Sequence, residues 1–124
     1  MNYTTWLLVG CGGALGASAR YACSVWVGSH HLFPWATLAI NIAGSLAIGL
    51  AWGAYAHTEW FQHWGRLFLV AGLLGGFTTF SAFSLETLTL LQASRMWAAS
   101  GYVLVSVVGC LLAVALGVKL GRLG

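Results

Sequence analysis

Apolar residues in this chain fall into four long runs separated by short polar links. The runs are Trp6–Val27, Trp35–Tyr55, Leu67–Gln92 and Met96–Lys119. Each reaches the ~20 residues that a helix needs to cross a ~30 Å hydrocarbon core. A link at 28–34 joins the first pair, and a polar, aromatic connector, His57–Arg66, joins the second run to the third. Trp and Tyr gather near the ends: Tyr3 and Trp6, Trp26 and Trp35, Trp52 and Tyr55, Trp60 and Trp64, Trp97 and Tyr102. Their amphipathic rings settle at headgroup level. The pattern predicts an all-α integral membrane protein, a single domain over 1–124 with four transmembrane helices.

The third run differs from the others. As one straight helix it would be about 39 Å long at 1.5 Å per residue. Gly72, Gly75 and Gly76 weaken its middle, and Thr78 and Thr79 add β-branched hydroxyl residues. The spacing predicts a helix that stops near Gly75 and restarts near Phe80. Unwound backbone at membrane depth leaves N–H and C=O groups unpaired, which is tolerated only inside protein or along a cavity. Freed carbonyls suit a cation, and the start of a half-helix suits an anion. The alternative is a glycine kink repaired by neighbouring helices.

Beyond the break, Phe80, Phe83 and Thr87 share a helical face by spacing, and Ser81 and Ser84 form a neighbouring hydroxyl row. Aromatic rings have positive edges, so two rings at this spacing can turn edges toward an anion, although such a pair is also ordinary packing. Asn41 lies inside the second run, and its amide carries two donors. Tyr102, Ser106 and Cys110 repeat every four residues along the fourth. Single polar residues also serve as interhelical glue. Donors on three runs with almost no acidic groups suggest a path for a small anion, because a cation path shows carboxylate rings.

Composition strengthens the membrane reading: of 124 residues, 60% are hydrophobic and 6% charged, against about a quarter charged in soluble domains. The net charge of +3 comes from scattered basic residues, which argues against nucleic acid as a partner. Cys11, Cys23 and Cys110 match no metal spacing and read as small apolar residues. His30, His31, His57 and His63 lie in the links and read as solvated. Ala17-Ser18-Ala19 resembles a cleavage site, but no basic region precedes it, so no cleaved signal is expected. Small residues repeat every four positions at Ala39, Ala43, Ala47 and Ala51, at Gly109, Ala113, Gly117 and Gly121, and at Gly12 with Gly16. Such stripes pack helices within one subunit or between subunits. Arg66, Lys119 and Arg122 fall on one side of the membrane and Arg95 and Arg20 on the other, three against two, which is almost no topological bias. Arg20 either snorkels or draws anions to a pore mouth. Glu86 is either protonated or bonded to a hydroxyl, or paired with a basic residue.

Gly75-Gly76-Phe77-Thr78-Thr79-Phe80-Ser81-Ala82-Phe83-Ser84 resembles the signature of the Fluc (CrcB) fluoride channels. Supporting stretches are Gly12-Gly13-Ala14-Leu15-Gly16-Ala17 with Arg20, and Asn41-Ile42-Ala43-Gly44-Ser45. The resemblance covers essentially the whole chain. It implies an antiparallel, dual-topology homodimer with two pores in a bacterial inner membrane, exporting fluoride passively and conferring fluoride resistance. The fluoride-contacting pair would be Phe80 and Phe83, and the pore asparagine Asn41. Thr79, Ser81, Ser84, Glu86, Tyr102 and Ser106 would lie along the path, with Arg20 near a vestibule. A structural sodium ion would be held by the Gly75 and Thr78 carbonyls. Two positions depart from the pattern: Cys110 stands where Ser or Thr is expected, and Ala82 where Thr is common.

Three other readings fit less well. Small multidrug exporters are also four-helix, dual-topology dimers but use a membrane-embedded glutamate in the first span, which has no acidic residue here. A purely structural subunit would need neither the break nor the Phe and hydroxyl constellation. An enzyme would need a nucleophile–base pair or a metal cluster that these Cys and His positions do not form. No Gly-rich Lys motif for ATP is present in the sequence.

Overall fold

The structure, a computed structural model, describes residues 2–28 and 30–124. Its regular elements are helical: α1 (Tyr3–Val27), α2 (Trp35–Tyr55), π1 (Phe61–Leu74), α3 (Gly75–Phe77), α4 (Phe80–Gln92) and α5 (Met96–Leu123). Asn2 starts α1 with a capping box: its Oδ1 accepts from the Thr5 N–H at 3.0 Å, and its own N–H donates to Thr5 Oγ1 at 3.4 Å. Gly28, at φ +89°, ends α1 in a conformation that a side chain would resist. The link expected at 28–34 is non-helical as anticipated, apart from Ser29, which lies outside the described residues.

Among the described residues, three helical stretches are both long and apolar enough to cross a membrane: α2, the combined Phe61–Gln92 stretch of 32 residues, and α5. With 25 residues, α1 matches them in length. Glycines, Ser18 and Arg20 make it less apolar.

The connector expected over 57–66 is mostly helix instead. Only residues 56–58 leave the helical path before a new helix begins at Glu59. Aromatic packing explains this. Phe61 is fully buried, edge-on to Trp52 (centroids 6.1 Å apart) and to Trp60 (5.8 Å). Gln62 reaches back to the Ala56 carbonyl, and the Thr58 hydroxyl donates to the Tyr55 carbonyl at 2.6 Å. The helix that follows has wide π turns, seen where the Gly75 N–H donates to the Val70 carbonyl five residues back. Such turns are often found at functional sites.

The break is later and shorter than expected. Gly75 is helical at φ −63°, ψ −39°. The chain unwinds only at Thr78 (φ −83°, ψ 159°) and Thr79 (φ −152°, ψ 123°), and α4 restarts at Phe80. Glycines therefore do not form the gap. They let neighbours approach it.

Packing comes in two pairs, α2 on α5 and α1 on π1, with the break between them. A Cβ on Gly49 of α2 would lie 3.0 Å from Cα of Gly117 on α5. One on Gly72 would meet Cα of Gly12 at the same distance. The Gly117–Gly121 and Gly12–Gly16 stripes are thus used within the chain. Ala39 and Ala43 of the alanine stripe remain exposed. Gly49→Leu should therefore separate α2 from α5 and cost about 1–3 kcal/mol. Gly101→Leu, where an added Cβ meets nothing within 4 Å, should be nearly silent. Thermal unfolding in detergent distinguishes the two.

Candidate functional site

Two side chains from different helices hold the unwound step. From α2, the Asn41 amide forms a reciprocal pair with Thr79: Nδ2 donates to the Thr79 carbonyl at 3.0 Å, and Oδ1 accepts from the Thr79 N–H at 2.9 Å. The amide thereby replaces the strand partner that an extended residue lacks. From α1, Arg20 Nε donates to the Gly76 carbonyl at 3.1 Å. The sequence did not foresee this contact. Its charged head turns inward onto the break.

Thr78 and Thr79 close the two ends. The Thr78 N–H and hydroxyl both donate to the Leu74 carbonyl, at 3.0 and 2.9 Å. Thr79 caps α4, its Oγ1 accepting from the Ala82 N–H at 3.2 Å. Gly44 on α2 carries no side chain where the Thr78 methyl presses against it. Outside the helical ladder, no hydrogen bond among the described residues reaches the carbonyls of Gly75 or Thr78. Those are the two carbonyls expected to serve a cation.

Phe80 and Phe83 sit next to each other but in different surroundings. Their rings are 5.4 Å apart and tilted by 55°. Phe83 is 9% exposed, and its ring lies 5.1 Å from that of Tyr102. Phe80 is 77% exposed. The inward face of α4 is set by Phe83 and Leu90, seven residues apart, so Phe80 lies at its margin and not on it. Ser81 and Ser84 are exposed. Ser84 donates to the Phe80 carbonyl at 3.0 Å and Thr87 to the Phe83 carbonyl at 2.8 Å, so both hydroxyls are engaged by their own helix. Ser81 Oγ lies 3.3 Å from Thr79 Oγ1.

Glu86 meets a hydroxyl. Thr37 Oγ1 lies 2.7 Å from Oε1 and 3.0 Å from Oε2 and donates to the carboxyl group. On α5, Tyr102 is 0% exposed and Ser106 6%, and neither hydroxyl has a hydrogen-bond partner among the described residues. Unpartnered hydroxyls at this burial are costly unless something polar reaches them. An open groove of about 450 Å³ runs past this region. Asn41, Gly75, Thr78, Thr79, Phe80, Phe83, Ser106 and Cys110 line it. It brings the break, the aromatic pair and the α5 track to one surface. Arg20, Ser81, Ser84, Glu86 and Tyr102 are not among its lining residues.

Thr37 is a contact that the sequence reading missed. Its signal was present, since Thr37, Asn41 and Ser45 repeat every four residues as a polar row on α2. Removing the Asn41 amide by Asn41→Leu leaves the Thr79 N–H and C=O unpaired and should cost about 2 kcal/mol or more. Arg20→Met, which frees one partly exposed bond, should cost about 1 kcal/mol. Apparent melting temperatures in detergent check both, with the larger drop expected for Asn41.

Comparison with known proteins places the chain in a family. Residues 7–118 match the family described as CrcB-like protein, Camphor Resistance (CrcB). A protein of Paracoccus denitrificans named fluoride-specific ion channel FluC is 50% identical over 119 residues, covering 95% of this chain and 94% of the relative. Proteins of the same name from Bordetella petrii and Nitrobacter winogradskyi are 48% and 42% identical, covering 90% and 98% of this chain and 86% and 98% of the relatives. With the match spanning nearly its whole length, the chain belongs to the CrcB family, a family of channels and not of enzymes.

Proposed function

We propose that this chain is a passive, fluoride-selective ion channel of the bacterial inner membrane, exporting fluoride and conferring fluoride resistance. The observation that carries the reading is the clamped break. Asn41 holds the non-helical backbone of Thr79, and Arg20 the helix end just before it, in a chain whose relatives, alike over almost their full length, are named fluoride-specific ion channels. Fluoride holds its hydration shell tightly, so a selective path must offer donors in place of water without binding the ion too firmly. Asn41 keeps one N–H beyond the one given to Thr79. Tyr102 and Ser106 have unpartnered hydroxyls, and the Phe80 and Phe83 rings offer positive edges. Ser81 is a further donor, and Ser84, Thr79 and Glu86 shape the polarity around it.

The working unit is an antiparallel homodimer with two pores. One chain leaves Phe80 and the groove beside the break open, and a second copy would close them into a lined path. The basic residues, three on one side of the membrane and two on the other, set almost no orientation, which lets two copies pair antiparallel. The residues present fit a structural sodium ion. The Gly75 and Thr78 carbonyls, without another partner among the described residues, would hold it as carbonyls at broken helices do in transporters. When bound, it supplies a fixed positive charge beside an anion path. Export needs no fuel: hydrogen fluoride enters as a neutral acid, dissociates in the less acid cytoplasm, and the anion leaves down its gradient.

Efflux from liposomes holding the purified protein tests this. Fluoride should leave far faster than chloride, and equal rates, or none above empty vesicles, would refute it. The two phenylalanines should separate in the same assay. Phe80→Ile should cut flux severalfold at an unchanged melting temperature, whereas Phe83→Ile should lower both, because Phe83 also packs on Tyr102.

A further inference from the structure

At the end of the molecule away from the α1–α2 link, α2 and α5 finish side by side and enclose a cavity of about 300 Å³. Trp52, His57, Gly121 and Arg122 are among its walls. Trp52 also carries a second cation on its ring, with the Arg66 guanidinium 5.5 Å from the ring centroid. That distance is within the range of a cation–π contact, which holds the arginine in place without neutralising it. Among the described residues no acidic side chain lines the cavity, although Gly124, the last of the 124 residues, brings a carboxylate to the wall near Arg122. Helix C-termini present carbonyls that oppose an anion, but the outermost ones of α2 are already satisfied. Thr58 donates to the Tyr55 carbonyl and Gln62 to that of Ala56. Arg122 stands in the last turn of α5, where its charge offsets that helix end. Arg66 is not itself a wall residue, and it remains as surplus charge on the ring of the Trp52 wall.

The depth of the cavity decides what could enter. It opens where two apolar spans end and where Trp52, Tyr55, Trp60 and Trp64 cluster, with Tyr55 and Trp60 5.0 Å apart and Trp60 and Trp64 5.1 Å apart. Such belts mark the headgroup layer. The anion most abundant in that layer is the lipid phosphate, and basic pockets between spans bind acidic headgroups. We propose that the cavity between the C-terminal ends of α2 and α5 is a seat for the headgroup of an acidic membrane phospholipid, with Arg122 and Arg66 meeting its phosphate and Trp52 forming its apolar floor. This seat is separate from the groove beside the break and does not depend on which ion the chain conducts.

Native mass spectrometry of the intact protein in detergent, titrated with phosphatidylglycerol or phosphatidylcholine, tests the proposal. Phosphatidylglycerol should be retained preferentially. The Arg66→Gln, Arg122→Gln double variant should lose that preference by roughly 30-fold, since each interfacial cation contributes about fivefold. Lys119→Gln, at the same end but neither on the cavity wall nor, like Arg66, on the Trp52 ring, should keep it. If the double variant fails to fold, the Arg122→Lys and Trp52→Ala single variants carry the test, the first expected to retain the lipid and the second to weaken it. Equal retention of both lipids, or equal loss with Lys119→Gln, would overturn the proposal. So would displacement of phosphatidylglycerol by millimolar inorganic phosphate, which would make the seat one for a soluble anion.

Discussion

Everything distinctive in this chain depends on satisfying the backbone of Thr78 and Thr79. Two residues in extended conformation interrupt the third span, and no water is at hand in a bilayer core to pair their polar groups. The fold meets that demand from two sides. Asn41 lends α2 as a substitute strand, and Arg20 lends α1 as a donor to the carbonyl just before the gap. The glycines at 12, 44 and 72 follow from the same need. They bring α1 and α2 close enough for short polar side chains to reach the break or for its helix to sit against them.

The clamp also explains how fixed and open features coexist. Among the described residues the carbonyls of Gly75 and Thr78 are left without partners, because their neighbours take the available donors. The hydroxyls of Tyr102 and Ser106 are buried beside Phe83 in the same condition. Meanwhile Ser84 and Thr87 bond back to their own helix, which leaves the α4 surface less polar than its composition suggests. Polar capacity is therefore concentrated at the break and on α5, on the two sides of one groove.

Much of this was legible in the sequence, and the limits have physical causes. The length of the apolar runs gave the helices, and Phe80 marked the restart of α4 correctly. Gly75 was a poor guide to where the helix stops, because glycine weakens a helix without ending it when its neighbours supply the packing. The polar and aromatic letters of 57–66 marked a connector without showing that it is helical. The aromatic side chains of Trp60 and Phe61 turned it into helix by burying themselves on α2. A hydroxyl partner for Glu86 was among the expectations, but which hydroxyl, and the partner of Arg20, were out of reach, because Thr37 and Gly76 are 49 and 56 residues away in sequence. A period of four through Thr37, Asn41 and Ser45 announced a polar face on α2 but not what it would touch.

The central claim is that Thr79, although outside any helix, is as firmly held as the helices around it. Residue-resolved amide hydrogen exchange of the protein in lipid measures this directly. A Thr79 amide protected to the same degree as those inside α2 and α5 is the predicted result. A Thr79 amide exchanging like an exposed link residue would mean that the Asn41 clamp does not organise the break.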